Sequence, residues 1–174
     1  KMNPVQALRN GIIIRKKIYY PSYSSGLAEF VGIMLGDGGV TNYQISITLN
    51  SDTDKEYLIY VKNLLEKLFC IKSTVVFRKG ELAVRIIASG RNLVELLQRH
   101  GLKVGNKIKQ SANIPSWILG KNEFAIACLR GLMDTDGSFY SYTHRVNGKI
   151  YKNLTAIAKE ITGSHWNGYL FFNL

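Results

Sequence analysis

Two aspartates end two similar segments of the chain. Residues 32–38 (GIMLGDG) align with residues 131–137 (GLMDTDG), which is an internal repeat. In each copy a glycine lies five residues before the aspartate, where the lack of a side chain lets two helices approach closely. If those helices pack about a two-fold axis, Asp37 and Asp136 emerge at one end, each followed by a turn with positive φ. Two neighbouring carboxylates repel each other, which favours a cation between them.

The repeated segments resemble the signature motif of the LAGLIDADG family of homing endonucleases. The matching nonapeptides are residues 30–38 (FVGIMLGDG) and 129–137 (LRGLMDTDG), and the resemblance extends over about residues 25–157. It implies an α+β fold of two αββαββ half-domains related by pseudo-two-fold symmetry, whose antiparallel sheets form a saddle over duplex DNA. It also implies a site-specific double-strand DNA endonuclease that hydrolyses phosphodiester bonds with the help of a divalent cation, Mg²⁺.

The same resemblance assigns roles to individual residues. Asp37 and Asp136 would be the catalytic Mg²⁺ ligands, aided by the backbone carbonyls of Gly36 and Thr135. Gly32 and Gly131 would lie at the helix interface. The basic residue near the scissile phosphate would be Lys107, with Lys103 and Lys109 as rivals. A polar residue that orients the attacking water is expected among Asn50, Ser51 and Asp52, and the sequence leaves that choice open.

A basic surface is expected where the sheets meet DNA. Several lysines and arginines lie on or beside predicted strands or in the basic connector after residue 102, and which of them face DNA is left open because the alternation is imperfect. The candidates are Arg78, Lys79, Arg85, Lys103, Lys109, Arg145, Lys149 and Lys152.

Hydrophobic periodicity predicts the elements that position the motifs. A buried helix capped by Ser24 or Ser25 ends at Leu35, and a second motif helix begins near Asn122. Between them the pattern predicts a strand over 43–50 paired with a short strand at Val40, a helix over 54–69, a hairpin of 73–78 and 82–88, and a helix over 91–100. After the second motif it predicts strands over 138–143 and 149–157, joined by a turn at 147–148.

Composition limits the class of protein. The chain has 174 residues, of which 46% are hydrophobic and three are prolines, so it can bury a core and is not a disordered or low-complexity chain. Its net charge of +11, from 23 Lys and Arg against 12 Asp and Glu, favours nucleic acid as partner over a membrane surface. With no apolar run of about 18 residues, we expect a soluble intracellular protein of the cytoplasm or an organelle matrix. Cys70 and Cys128 are expected to be reduced core thiols.

The repeat divides the chain unevenly. We expect a basic leader over 1–24, a first half-domain over 25–121 and a second, shortened half-domain over 122–174. A monomer with two motifs is expected. The apolar C-terminal residues could replace missing core, pair with a second chain, or be an abnormal end left by a truncating event; they are Trp166, Tyr169, Leu170, Phe171 and Phe172. The shortened half also motivates an alternative function, a non-catalytic nucleic-acid binder such as an intron RNA maturase, whose partner is intron RNA, or a transcription regulator with the LAGLIDADG fold.

Overall fold

The structure is a computed structural model that describes residues 15–78, 80–107, 109–137, 144–146, 149–151 and 154–164. The chain divides into two compact units, residues 1–137 and residues 138–174. Both motif helices lie in the first unit, whose fold is α+β. The predicted division at residues 24 and 121 follows the repeat rather than these units, and it stays a prediction.

The first motif helix, α1 (Ser25–Leu35), begins at the predicted serine cap. The Ser24 hydroxyl accepts a hydrogen bond from the backbone N–H of Leu27 at 3.3 Å. The helix is apolar on all sides apart from Glu29, and its residues 27–34 are all buried. It therefore runs through the centre of the first unit.

A four-stranded antiparallel sheet follows the first motif, with the order β1 (Gly38–Val40), β2 (Gln44–Asn50), β4 (Ala83–Ser89) and β3 (Thr74–Phe77). Strands β2 and β4 alternate strictly between buried and partly exposed residues. Ile47 pairs with Ile86 on the buried face, and Thr48 pairs with Arg85 on the outer face. The predicted strands and hairpin of the first half are confirmed.

Two helices pack with α1 and the inner face of the sheet to form one core. Helix α2 (Lys55–Phe69) buries Val61, Leu65 and Phe69, with Phe69 in edge contact with Phe30 of α1. Helix α3 (Arg91–Arg99) buries Leu93 and Leu97 among other residues. Both helices are confirmed within one residue at each end.

The connection from α3 back to the second motif helix contains one further helical turn, α4 (Ser116–Leu119). The Trp117 indole N–H donates to the carbonyl of His100 at 3.1 Å, and its ring stacks on Tyr23 at 4.4 Å. Helix α5 (Asn122–Met133) then carries the second motif, as predicted.

The second unit contains a hairpin of β5 (His144–Val146) and β6 (Lys149–Tyr151), and helix α6 (Leu154–Thr162). The prediction of a strand continuing to residue 157 is wrong. Leu154, Ile157, Ala158 and Ile161 recur at the helical spacing, and that period decides the structure. The predicted strand 138–143, the turn 147–148 and residues 1–14 of the leader lie outside the described residues.

The two cysteines differ in environment. Cys128 is a buried thiol in α5, as predicted. Cys70 is exposed, because it ends α2 in a left-handed conformation with φ of 53°, so its prediction as a core residue is wrong. In the described ranges, no helix is both long and apolar enough to cross a membrane.

Candidate functional site

The two motif helices cross at their glycines. A methyl group at Gly32 would overlap the carbonyl oxygen of Cys128 and lie 3.0 Å from the amide nitrogen of Leu132. A methyl group at Gly131 would overlap the Glu29 carbonyl oxygen and lie 3.0 Å from the Ile33 nitrogen. The structure thus brings the two predicted interface glycines to one close backbone crossing.

These contacts obey a two-fold relation. Gly32 and Gly131 are separated by 131 − 32 = 99 positions. Gly131 contacts Glu29 and Gly32 contacts Cys128, and these two contact residues are also separated by 128 − 29 = 99 positions. One turn further on, Gly36 faces the side chain of Thr135, its own counterpart in the repeat. The helices therefore run side by side in the same direction, and both motifs end at the same place.

The glycine after each aspartate is needed for a close approach and not for a positive φ. A side chain at Gly38 or Gly137 would meet the α-carbon of Met34 or Met133 at 2.5 Å, because the chain leaving each aspartate passes back over its own helix. The expectation of positive φ after the aspartates is wrong, since the glycines with positive φ in the described ranges lie elsewhere.

The two aspartates influence each other electrostatically. Partial burial raises the pKa of Asp37 above its ordinary value, and the negative charge of Asp136 raises it further. The positive charge of Lys107 acts in the opposite direction, and Asp54 adds a smaller repulsion. Asp136 is exposed and lines a cavity of about 520 Å³ together with Leu35, Lys107, Leu132 and residues 111–114. The end of the motif helices is thus an open, negatively charged site with the Lys107 ammonium group beside it.

Lys107 is the predicted lysine that contacts the end of α1. Its Nζ donates to the backbone carbonyl of Leu35 at 2.9 Å and also to that of Gly36. Lys103 instead donates to the carbonyls of Gln110 and Ser111 within the connector. Lys109 has an exposed side chain.

The candidates for orienting water lie in the turn between β2 and α2. The Asn50 side-chain oxygen accepts backbone hydrogen bonds from Asp52 at 2.9 Å and Thr53 at 3.2 Å, so this amide builds the turn. Asp52 forms an exposed ion pair with Lys55 at 3.1 Å. The structure does not single out one of the three predicted residues, but it adds Asp54 to the charges that affect Asp37.

The predicted DNA contacts lie in several places. Arg85 is on the outer face of the sheet, and its buried Nε has no hydrogen-bond partner among the residues that the structure describes. Arg78 follows β3 and pairs with Glu81 at 2.9 Å. In the second unit, Arg145 lies on β5 and Lys149 pairs with Glu160 at 2.6 Å. Lys79 and Lys152 lie outside the described residues.

A buried carboxylate at the helix interface was missed from the sequence. Glu29 accepts a hydrogen bond from the Tyr60 hydroxyl at 2.6 Å and lies 4.0 Å from the Arg130 guanidinium of α5. Burial and the negative charge of Glu29 raise the pKa of Tyr60 to about 12. A single charge in an otherwise apolar, buried helix was the available signal, because such a group needs partners.

The donors at this site suit a hard divalent cation. The two carboxylates and the backbone carbonyls of Gly36 and Thr135 offer oxygen atoms, which Mg²⁺ prefers. Burial and the neighbouring charge of Asp136 both raise the pKa of Asp37, so a bound cation would favour its ionised form. Within the described ranges, no group of three or more His, Cys, Asp or Glu side chains could hold a metal ion. The two carboxylates would therefore need the backbone carbonyls to complete the ligand set.

The fold and site define an α+β protein with paired motif helices. Residues 134–174 match a family model described as a protein of unknown function, DUF2924. Over 161 residues the chain is 29% identical to a "Replication factor C small subunit" of Methanocaldococcus jannaschii. That match covers 84% of this chain and only 9% of the length of the relative.

Solved structures similar to the chain include three of I-DmoI. One, of mesophilic variants of this homing endonuclease, has a TM-score of 0.44 at 20% identity. The others, variants in complex with target DNA in the presence of manganese or magnesium, each have a TM-score of 0.42 at 18% identity. Each match covers 66% of this chain and 63% of the other.

Asp37→Asn is expected to raise the melting temperature at pH 7 in metal-free buffer. Because its pKa is raised in the folded state, ionising Asp37 costs folding free energy. That cost is absent when the pH is below 3.8, the ordinary pKa of the carboxyl group, and it is complete when the pH is above the raised pKa of the folded state. Thermal melts at pH 7 and at pH 3 measure this, and the difference between variant and wild type should disappear at pH 3. An unchanged or lower melting temperature at pH 7 would contradict the electrostatic argument.

Proposed function

We propose that this chain is a metal-dependent DNA endonuclease of the LAGLIDADG homing type, which cuts both strands of a duplex. The observation that carries the proposal is the meeting of Asp37 and Asp136 at the end of a two-fold helix crossing. Two strands of a duplex offer two scissile phosphates related by a local two-fold axis. A pair of carboxylates with the same symmetry matches that arrangement.

Each residue of the site has its own role in the proposed reaction. Asp37 and Asp136, with the carbonyls of Gly36 and Thr135, hold Mg²⁺, which when bound supplies positive charge to the phosphate and lowers the pKa of water. Gly32 and Gly131 fix the separation of the two carboxylates by allowing the helix backbones to touch. Lys107 adds a second positive charge beside the pair. Precise placement of this kind is what phosphoryl transfer demands of a protein.

The outer face of the sheet is the proposed DNA surface. Asp37 lies directly before β1, and its carbonyl accepts a hydrogen bond from the backbone N–H of Thr48 at 3.2 Å. Thr48 pairs across the sheet with Arg85, which pairs in turn with Val76. The row from Asp37 to Arg85 therefore connects the carboxylate site with a guanidinium group on the outer face of the sheet. Guanidinium groups bind phosphate oxygens through charge-assisted hydrogen bonds.

Binding to duplex DNA is expected to weaken steeply as salt rises. Each phosphate neutralised by a lysine or arginine releases about one counterion, so the logarithm of the affinity should fall linearly with the logarithm of salt concentration. Arg85→Ala should make that slope shallower by about 1. Fluorescence anisotropy with a labelled random duplex, between low and moderate salt, measures both quantities.

Arg99→Ala is the matched control for that titration, because Arg99 is exposed on α3, away from the outer face of the sheet. It removes the same charge and should leave the slope unchanged. Salt-independent binding, or no binding to duplex, would exclude DNA as the partner. Strong binding without cleavage of any target would instead favour the alternative of a non-catalytic nucleic-acid binder.

A further inference from the structure

The ammonium group of Lys107 occupies a position that the proposed metal site needs. Its Nζ donates to the last carbonyls of the first motif, those of Leu35 and Gly36. The Gly36 carbonyl is one of the proposed metal ligands. An ammonium group and a divalent cation cannot both bind one carbonyl oxygen along the same direction, so the two compete for it.

A lysine at a helix C-terminus often serves only to satisfy unpaired carbonyls. Two observations separate Lys107 from that ordinary role. It lines the same cavity as Asp136, and its Nζ contacts the Gly36 carbonyl directly before Asp37. Its charge also partly neutralises Asp37, as a bound metal would.

Several hydrogen bonds join residues within the loop that carries Lys107. The Gln110 side chain donates to the carbonyl of Val104, the amide of Ala112 donates to the carbonyl of Lys107 at 3.0 Å, and Lys103 holds the carbonyls of Gln110 and Ser111. The amide of Gly105 donates to the carbonyl of Val40 at 2.9 Å, which joins the loop to β1. A loop built this way can shift as a unit when its contact with α1 is lost.

This inference rests on the proposed function: we propose that Lys107 is an internal competitor of the divalent cation, which partly offsets the charge of Asp37 in the metal-free protein and leaves the Gly36 carbonyl when a cation binds. Metal occupancy and the position of loop residues 103–107 and 109–112 are then linked. Linkage is reciprocal, so the lysine weakens metal binding by the same factor by which the metal weakens the lysine contact.

Calorimetric titration of Mg²⁺ and of Mn²⁺ into the full chain, without DNA, tests this competition. Lys107→Met keeps the length of the side chain and removes the charge, and it should bind the cation about tenfold more tightly, the scale of one unit charge at short range near a protein surface. Lys67→Met removes the same charge from an exposed side chain in the last turn of α2, whereas Asp54, whose charge affects Asp37, lies at the start of that helix. It should change the affinity less than twofold, an order-of-magnitude bound for a distant screened charge.

Hydrogen exchange of the wild-type chain gives a second measurement that needs no variant. Adding Mg²⁺ should speed exchange of the Gly105 and Ala112 amides, whose hydrogen bonds hold the loop. Exchange of these two amides that stays the same or slows would overturn the competition. So would a calorimetric affinity of Lys107→Met for the cation that is equal to or weaker than that of the wild type. If the competition fails but Asp37→Asn abolishes metal binding in the calorimetric titration, the proposed metal site still stands. If the wild-type chain binds neither cation, the metal site and the competition both fail.

Discussion

Asp37→Asn and Asp136→Asn are each expected to abolish double-strand cleavage while duplex binding persists. Asparagine keeps the shape of the side chain but removes the negative charge that holds a divalent cation. Because the two carboxylates meet at one site, losing either should lower the cleavage rate by at least about a hundredfold, the scale seen when one group that stabilises transition-state charge is removed. Incubating a plasmid library of candidate targets with protein and Mg²⁺, and quantifying the linear product, measures the effect.

Glu123→Gln is the control for this pair of variants. It removes one negative charge from α5, the same helix that carries the second motif, but from its exposed first turn. Cleavage by this variant should match the wild type, as should duplex binding by all three variants in the anisotropy assay. Undiminished cutting by Asp37→Asn or Asp136→Asn would end the proposal that the two aspartates share the chemistry.

Gly32→Ala and Gly131→Ala are expected to destabilise the protein and to slow cleavage together. The added methyl group at either position overlaps a backbone carbonyl of the facing helix, which has no rotamer by which to escape. Overpacking of this kind costs ~1–3 kcal/mol, which corresponds to ~2–12 °C in melting temperature for a chain of this size. A shift of about one ångström at the aspartates would lower the rate by about a hundredfold.

Gly26→Ala is the matched control, because it makes the same substitution in the same helix. There the methyl group would lie 3.7 Å from the Leu64 side chain, an ordinary contact. Alanine also favours the helix by about 0.5–1 kcal/mol over glycine, so the melting temperature should hold or rise. Equal behaviour of the Gly26 and Gly32 variants in thermal melts would show that the crossing tolerates a side chain and does not fix the aspartates.

The motif helices and the first sheet could be predicted because their signals are local. Hydrophobic period, the Ser24 cap and the strict alternation of β2 all follow from neighbouring residues. The helix crossing could also be anticipated, since the repeat places a glycine at the same point in both helices. The glycine after Asp37 was expected to have a positive φ, whereas the structure needs it because the backbone passes close to Met34. A sequence does not distinguish these two reasons for a glycine.

Other features depend on contacts between distant segments and could not be predicted. That the Lys107 side chain reaches the carbonyl of Leu35 depends on how the connector folds over α1, and no periodicity reports that. The partners of Glu29 come from α2 and α5, so its need for them was visible but their identity was not. Helix α6 was mistaken for strand because the preceding hairpin pattern was extended through residue 157, although the spacing of its apolar residues is helical.

The crossing of α1 with α5 also constrains the order of folding. Its contacts join distant residues, such as Gly32 with Cys128 (128 − 32 = 96 positions) and Glu29 with Gly131 (131 − 29 = 102 positions), so most of the first unit must be synthesised before they can form. Until α5 emerges from the ribosome, the face of α1 that contains Glu29 and Ile33 has no partner helix, and a nascent chain exposes it. The contact that aligns the two aspartates is thus among the last to form, and the site is assembled only once both copies of the motif have been made.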